Sequence, residues 1–414
     1  MTILIAGAGI GGLTAALSLH QIGARVRLLE TVRKIEPLGV GLNILPHAMR
    51  ELFDLGLENE LTTAGVHTGK LAYYSKRGQP IWEEPRGRLA GYRWPQISIH
   101  RGVLQSILIE AVRRRIGADA IMPGATVDSW QADDTGVTAR VQMRENGRIE
   151  EHRGSLLIGA DGIHSAVRRR LYPGEGPPIW NGAILWRGVT SGLQFLDGRT
   201  MIMAGHERQK FVCYPIAASG APPLLNWVAE LKFAPDHTWR REDWNRPGRL
   251  EEFLPAFEDW QFDWLDVPAV IQGAAACYEY PMVDRDPLPR WTESRVTLLG
   301  DAAHSMYPIG SNGASQAILD ARVLAREIRA RGETPEALLA YEADRRPATS
   351  AIVLANRRNG PEQVMQLVEE RAPDGFANVE DVLARDDLES VATAYKRVAG
   401  FTIDALNRRP GILD

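Results

Sequence analysis

The chain has 414 residues, enough at roughly 150 per domain for two or three domains with a buried core. Charged residues make up 24% and hydrophobic ones 44%, proportions that exclude a disordered, collagen-like or coiled-coil chain. The 48 basic and 52 acidic side chains leave a net charge of −4 and a pI near 6.2, with no basic field for nucleic acid or an anionic bilayer. Only Cys213 and Cys277 occur, too few for a disulfide scaffold or a four-ligand zinc site and in keeping with a cytoplasmic protein.

Residues 1–24 contain no Lys, Arg, Asp or Glu. No positive region precedes the apolar run, and Gly7, Gly9, Gly11, Gly12, His20 and Gln21 interrupt it, so neither a signal peptide nor a membrane anchor is expected. The segment reads instead as a βαβ opening: the strand Ile3-Leu4-Ile5-Ala6, a glycine turn, a helix through Leu19, and the strand Val26 to Glu30. Helical spacing returns at 47–57 and 101–116. Two further apolar runs end in Gly-rich turns, Leu156-Leu157-Ile158 before Gly159-Ala160-Asp161-Gly162 and Val296 to Leu299 before Gly300-Asp301. Three strand ends converging on one ligand are expected of a parallel sheet. Between about 182 and 283 the texture becomes alternating strands rich in Trp, Tyr, Val and Met, a mainly antiparallel second sheet, with a turn-rich connection at 243–248. After Gly310 the chain is helical, with breaks expected at Arg345-Arg346-Pro347 and Gly360-Pro361 and a helix from Asp386 to Asn407. The fold expected is α/β. Residues 1–70, 98–180 and 286–360 form a discontinuous Rossmann-like FAD-binding domain with a mixed sheet, 71–97 and 181–285 a mainly antiparallel β-sheet substrate domain, and 361–414 a helical tail.

The turn Gly7-x-Gly9-x-x-Gly12 opens a helix. Its glycines allow close backbone approach to a pyrophosphate, Ile10 and Gly11 begin the helix whose dipole favours that anion, and Glu30 ends the next strand within reach of a ribose hydroxyl. On its own the turn serves FAD and NAD equally. The combination "GAGIGGL", "GADGIHSAVR" and "GDAAHSMYPIGSNGASQAILDA" resembles the dinucleotide, DG and GD motifs of the FAD-dependent aromatic monooxygenases, the p-hydroxybenzoate hydroxylase family. Further segments, among them "PLGVGLNI", "WRGVT" and "YPMVDRDPLPRW", are similar to the phenazine-carboxylate members of that family.

The resemblance implies tightly bound FAD, NADH or NADPH as co-substrate, and O2. Hydroxylation of a planar aromatic or N-heteroaromatic ring would proceed through a flavin 4a-hydroperoxide, with or without loss of a carboxylate. It also implies that Asp301 holds ribityl or ribose hydroxyls, that Arg101 and Gln105 contact the pyrophosphate and ribityl region, and that Asp161 supports FAD and the visiting nicotinamide. As plainer roles, Asp161 could cap the helix that follows and Asp301 could order its turn. Pro308 would shape the flavin face, while Gly310, Asn312, Gly313 and Ala314 open a helix whose amides can stabilise a reduced flavin anion. Ser315 stands where an Asn is usual. His304 is read as packing beside the cofactor, and no side-chain base is assigned. Gly41, in the stretch 39–43, would let the flavin swing.

The substrate wall is expected from Trp186, Arg187, Met203, Lys210, Tyr214 and Pro281. Arg187 or Lys210 would pair with a carboxylate or phenolate. No metal-ligand or Ser-His-Asp spacing is evident. The partner expected is a small aromatic compound, with the chain a monomer or homodimer. The alternatives are a flavin-loaded protein that sequesters an aromatic compound, a flavin-dependent halogenase, against which the missing Trp-x-Trp-x-Ile-Pro counts, and a plain NAD dehydrogenase, which leaves the DG and GD turns without a role.

Overall fold

The computed structural model describes residues 1–35, 40–217, 220–234, 236–237 and 246–414. Gly39 of the proposed hinge and Asp243, Trp244 and Asn245 of the turn-rich connection lie outside the described residues.

Five short strands form a wholly parallel sheet in the order Val296–Leu298, Leu157–Gly159, Ile3–Ala6, Val26–Glu30, Ile121–Pro123. Residues 3–6 are at most 2% exposed: both faces of the strand are covered, which is why the run is continuously apolar rather than alternating. Leu4 pairs with Leu157 on one side and Arg27 on the other. Because the strands at 296–298, 157–159 and 3–6 are parallel neighbours, Gly300-Asp301, Ala160-Asp161 and Gly7 emerge side by side at one edge. The Ile10–Gln21 helix carries Ala15, Ala16 and other small buried residues against the Gly313–Arg331 helix. The antiparallel strands Ala125–Asp133, Gly136–Met143 and Ile149–Gly154 form a separate three-stranded sheet.

The second large sheet has seven strands in the order Ala274–Asp284, Ile179–Ser191, Leu224–Lys232, Gln209–Pro215, Thr200–His206, Lys70–Tyr74, Pro80–Pro85. It is antiparallel except where Thr200–His206 pairs in parallel with Lys70–Tyr74. Strand alternation gives it two unlike faces. The far face carries Trp186, Ile202, Phe211 and Trp227 into an apolar core closed by Phe253 and Phe257. The near face turns Met201, Met203 and Tyr214 toward the FAD-binding motifs and the tail.

Two helix expectations are corrected. The Pro335–Asn356 helix runs through Pro347 without stopping. A mid-helix proline costs about 3 kcal/mol, and here a buried stripe that includes Tyr341, Arg345, Thr349 and Ile352 carries 22 residues across it. The expected 386–407 helix is two, Arg385–Val398 and Ile403–Arg408, parted at Gly400, whose φ of +75° favours glycine. The tail does not hang free: Val364, Met365, Val368 and Leu388 pack against Tyr73, Met201 and Met203 on the near face.

Candidate active site

The glycine turn divides its labour. Gly7 lies at φ +96°, and a Cβ there would meet the Ala160 carbonyl oxygen at 2.5 Å. A Cβ on Gly12 would come within 2.1 Å of the Gly7 carbonyl oxygen, locking helix to strand. Gly11 packs on Leu299 and Ala317, whereas a Cβ on Gly9 would meet nothing within 4 Å. Gly9 is the N-cap of the helix that starts at Ile10, with no side-chain cap, so its end of the turn is open. Around that opening, Glu30 Oε2 accepts from the Ala8 amide at 2.6 Å and Gln105 Nε2 donates to the Ala8 carbonyl at 2.9 Å.

Asp161 is engaged by its own turn. Its oxygens accept from the Ser165 hydroxyl at 2.5 Å and the Ala166 amide at 2.7 Å, at the start of the Ala166–Leu171 helix. Burial raises its carboxyl above the usual range against the lowering effect of these hydrogen bonds. The plainer role as a helix cap is what the geometry displays. Asp301, by contrast, accepts no hydrogen bond among the described residues. Solvent reaches its carboxylate, but the surrounding cleft raises it, opposed by His304 and by Arg101, which starts the Arg101–Arg115 helix.

Behind the GD turn runs a buried polar chain that sequence reading missed. Asp320 accepts from the Gly300 amide at 3.1 Å, from His304 Nε2 at 2.5 Å and from Arg345 Nε at 2.8 Å. Burial alone would raise its carboxyl, but His304 and Arg345 outweigh that and hold it at about 2. Arg345 donates onward to Gln316 at 2.6 Å, Gln316 to Asn312 at 3.2 Å, and Asn312 to the Tyr395 hydroxyl at 3.0 Å. Tyr395 donates to Asn356 at 2.9 Å. His304 is thus a structural member of this chain, 3% exposed. Asp320 lies inside the GD stretch but was given no role there; Arg345, Asn356 and Tyr395 carried no local signal.

Pro308 is exposed at the start of the turn before the Gly313–Arg331 helix. Gly310 has φ +68°, and a Cβ on it would strike the Tyr395 ring at 2.4 Å, so glycine is required on both counts. Asn312 is fully buried and caps the helix by position, Gly313 and Ala314 form its first turn, and Ser315 Oγ accepts from the Leu45 amide at 3.2 Å.

Opposite this helix start, Gly41 is clamped to the near face of the seven-stranded sheet. Its amide donates to Asn226 Oδ1 at 2.6 Å and its carbonyl accepts from Arg187 at 3.1 Å, while a Cβ would lie 2.8 Å from Asn226. It is a pinned strand residue here, so Gly41→Ala would disrupt a contact as well as stiffen the backbone. Arg187 lies 5.9 Å from the Tyr280 ring centroid, and burial pulls its guanidinium down against the raising effect of Tyr214 and Tyr280. Burial pushes the Tyr214 hydroxyl up to about 12, with Arg187 acting the other way. Arg187, Met203 and Tyr214 therefore share the near face.

Three other substrate-wall expectations are corrected. Trp186 points to the far face, stacked on Phe253 at 4.7 Å, because it alternates with Arg187 on one strand. Pro281 pairs with Ile184 of that same far-face core. Lys210 is on the near side, but its ammonium sits between Glu230 at 3.0 Å and Glu362 at 2.6 Å, leaving no charge for a substrate.

Against known proteins, the FAD binding domain family matches residues 1–178 and 282–356. The chain is 48% identical over 361 residues, 86% of its length and 89% of the relative's, to phenazine 1,6-dicarboxylic acid hydroxylase of Lysobacter antibioticus. It is 29% identical over 362 residues, 84% of this chain and 89% of the relative, to 6-hydroxynicotinate 3-monooxygenase of Pseudomonas fluorescens. In fold it matches a salicylate hydroxylase substrate complex with TM-score 0.76 at 20% identity, covering 99% of this chain and 97% of the other. The chain belongs to the FAD binding domain family. It is an FAD-dependent aromatic monooxygenase using NAD(P)H and O2. Among the described residues no helix is long and apolar enough to cross a membrane, and no cluster of His, Cys, Asp and Glu could hold a metal ion.

Proposed function

We propose that the chain hydroxylates a planar phenazine-type aromatic acid, after the pattern of 5-methylphenazine-1-carboxylate 1-monooxygenase, as a cytoplasmic monomer or homodimer. The 48% identity over 361 residues to a phenazine dicarboxylic acid hydroxylase carries this reading. The residues fit FAD: the uncapped amides at Gly9 and Ile10 and the open space beside Gly9 suit a pyrophosphate, and the unpartnered Asp301 carboxylate suits ribityl hydroxyls. Glu30 and Gln105, already on Ala8, would hold the ribose side and the turn itself. Asp161 would act through the DG turn it caps. FAD, when bound, supplies the redox chemistry, accepting hydride from the nicotinamide and activating O2.

Each of the remaining tasks falls to this chain's own groups. The start of the Gly313–Arg331 helix, presented by Gly310 and Asn312, directs its dipole at whatever negative charge develops beside it. Arg187 and Asn226 hold Gly41, and with Tyr214 and Met203 they would form the wall that orients the ring. The division into a discontinuous FAD-binding domain, a substrate sheet and a tail would place that wall between all three.

The test is the absorbance spectrum of the purified protein, then NADH and NADPH oxidation with a panel of phenazine carboxylates, hydroxypyridines and aromatic carboxylates. A yellow protein whose nicotinamide oxidation is accelerated by a phenazine acid, with little peroxide released, is expected. A protein that cannot be loaded with FAD, or is indifferent to every ring, overturns the reading. Gly12→Ala should abolish FAD retention, since its Cβ would lie 2.1 Å from a backbone oxygen.

A further inference from the structure

Between Gly310 and the tail lies a chamber of about 20 Å³ on the near face, bounded by Tyr73, Glu84, Arg86, Gln96, Met203 and Lys396. That is room for about one water. Three polar atoms of this wall, Tyr73 Oη, Arg86 Nε and Gln96 Oε1, are buried with no hydrogen-bond partner among the described residues. Tyr73 is 1% and Gln96 3% exposed, so bulk water does not serve them. An unpartnered buried polar atom lowers stability, and three on one small chamber call for a polar group seated among them.

The charges indicate what that ligand carries. Arg86 lies 2.7 Å from one oxygen of Glu84, and Lys396, from the tail helix, lies 2.5 Å from the other. Burial would raise the Glu84 carboxyl, but these two cations outweigh it and hold it low. One carboxylate thus faces two cations. The neighbouring acids Glu230 and Glu362 are tied to Lys210 and give Arg86 and Lys396 no direct partner. Arg86 Nε–H and the Tyr73 hydroxyl remain as donors, and Gln96 Oε1 as an acceptor.

We propose that Arg86 and Lys396, with Tyr73, form the acid-reading end of the substrate chamber, taking the carboxylate that an aromatic substrate retains, while Gln96 accepts from a ring N–H or hydroxyl. This rests on the phenazine-type reading above. It makes the tail part of the binding site: Lys396 is the charged tail residue on the chamber wall.

The test is equilibrium binding to the oxidised holoenzyme at neutral pH, read by perturbation of the flavin absorbance. The probes are phenazine-1-carboxylate and phenazine-1-carboxamide. The wild type should bind the acid roughly tenfold or more tighter than the amide, as a charge-assisted contact warrants. Lys396→Met and Tyr73→Phe should each shrink that ratio with FAD content and amide affinity unchanged, and Lys396→Arg should restore it. Equal affinity for the two probes, or an undiminished acid preference in Lys396→Met and Tyr73→Phe, overturns the acid-reading end alone. If neither probe perturbs the flavin nor stimulates nicotinamide oxidation, the phenazine-type reading falls with it.

Discussion

The two faces of the seven-stranded sheet are built from the same strands and do different work. On Ile179–Ser191, Trp186 goes into a closed aromatic core with Phe253, while Arg187, one residue on, reaches Gly41 at 3.1 Å. On Gln209–Pro215, Phe211 and Cys213 are far-face core, whereas Lys210 and Tyr214 face the tail and the helix start. The far face has its aromatic rings stacked and filled. The near face holds buried atoms of Tyr73, Arg86, Gln96, Arg187 and Asn226 with no hydrogen-bond partner among the described residues, where the far face has Trp186 Nε1. Burying polar groups without partners lowers stability, so a protein that concentrates them on one face has sacrificed packing there for recognition.

The largest way to break this contrast is at the far face. Trp186→Ala should destabilise the fold by about 3–5 kcal/mol, the usual cost of removing a fully buried aromatic. Urea unfolding should register the loss while ligand affinity of the remaining folded holoenzyme stays unchanged. A change in affinity without a change in stability would show that the two faces are not separable as described.

Acid offers a second separation, because the polar chain behind the site titrates and the far-face core has no carboxylate among the described residues. The Asp320 carboxyl lies at about 2 in the folded protein against an ordinary 3.8. A depressed folded value means stability that is fully present above about pH 4 and is lost as pH falls through about 2, worth about 2 kcal/mol. Urea midpoints measured between pH 5 and 2.5 should fall less steeply in Asp320→Asn than in the wild type. The variant should also be less stable at neutral pH, since His304 and Arg345 lose a buried partner. Parallel slopes would remove Asp320 from the account.

How much of this was legible depended on whether a residue's neighbours were close in sequence. The three glycine-ended strands announced themselves because turn, helix and acid lie within one βαβ unit or one contiguous motif, and Gly7 and Gly12 serve local geometry. Asp161 was legible in position: the cap is visible, and a cofactor role would act through it. The substrate wall was harder. Composition pointed to strands near 186, 203 and 214, but a one-residue difference in register sends a side chain to the opposite face, and nothing local distinguished Trp186 from Arg187. Lys210 failed for another reason: its partner Glu362 is 152 positions away. Separation along the chain likewise hid Arg86 and Lys396, one just after an edge strand and the other on a tail helix, brought together only by folding.

On the near face, Arg187→Met should leave stability within about 1 kcal/mol, since the residue is half-buried and a methionine fills its stem. Losing the hydrogen bond to Gly41 should still lower kcat/KM roughly tenfold, the equivalent of about 1.4 kcal/mol. Steady-state nicotinamide oxidation with the accepted substrate measures it, and an unchanged rate would make Arg187 part of the scaffold.

The effect expected at Tyr214 lies in the pH profile, and it is the sharpest discriminator. Its hydroxyl is buried and bonded to Arg187, which draws against the burial that pushes it up to about 12. It therefore stays protonated across the working pH range and can orient Arg187 but cannot act as a base. Tyr214→Phe removes one hydrogen bond to a charged group from a cavity of the same shape, a change of about 1.5–3 kcal/mol at most if nothing replaces it and less if Arg187 turns to a second acceptor. The pH profile of kcat/KM should keep its shape and shift only in height. A basic limb that vanishes in Tyr214→Phe would mean that this hydroxyl ionises during turnover, and the near face would then contain a proton-transfer group rather than only a positioning wall.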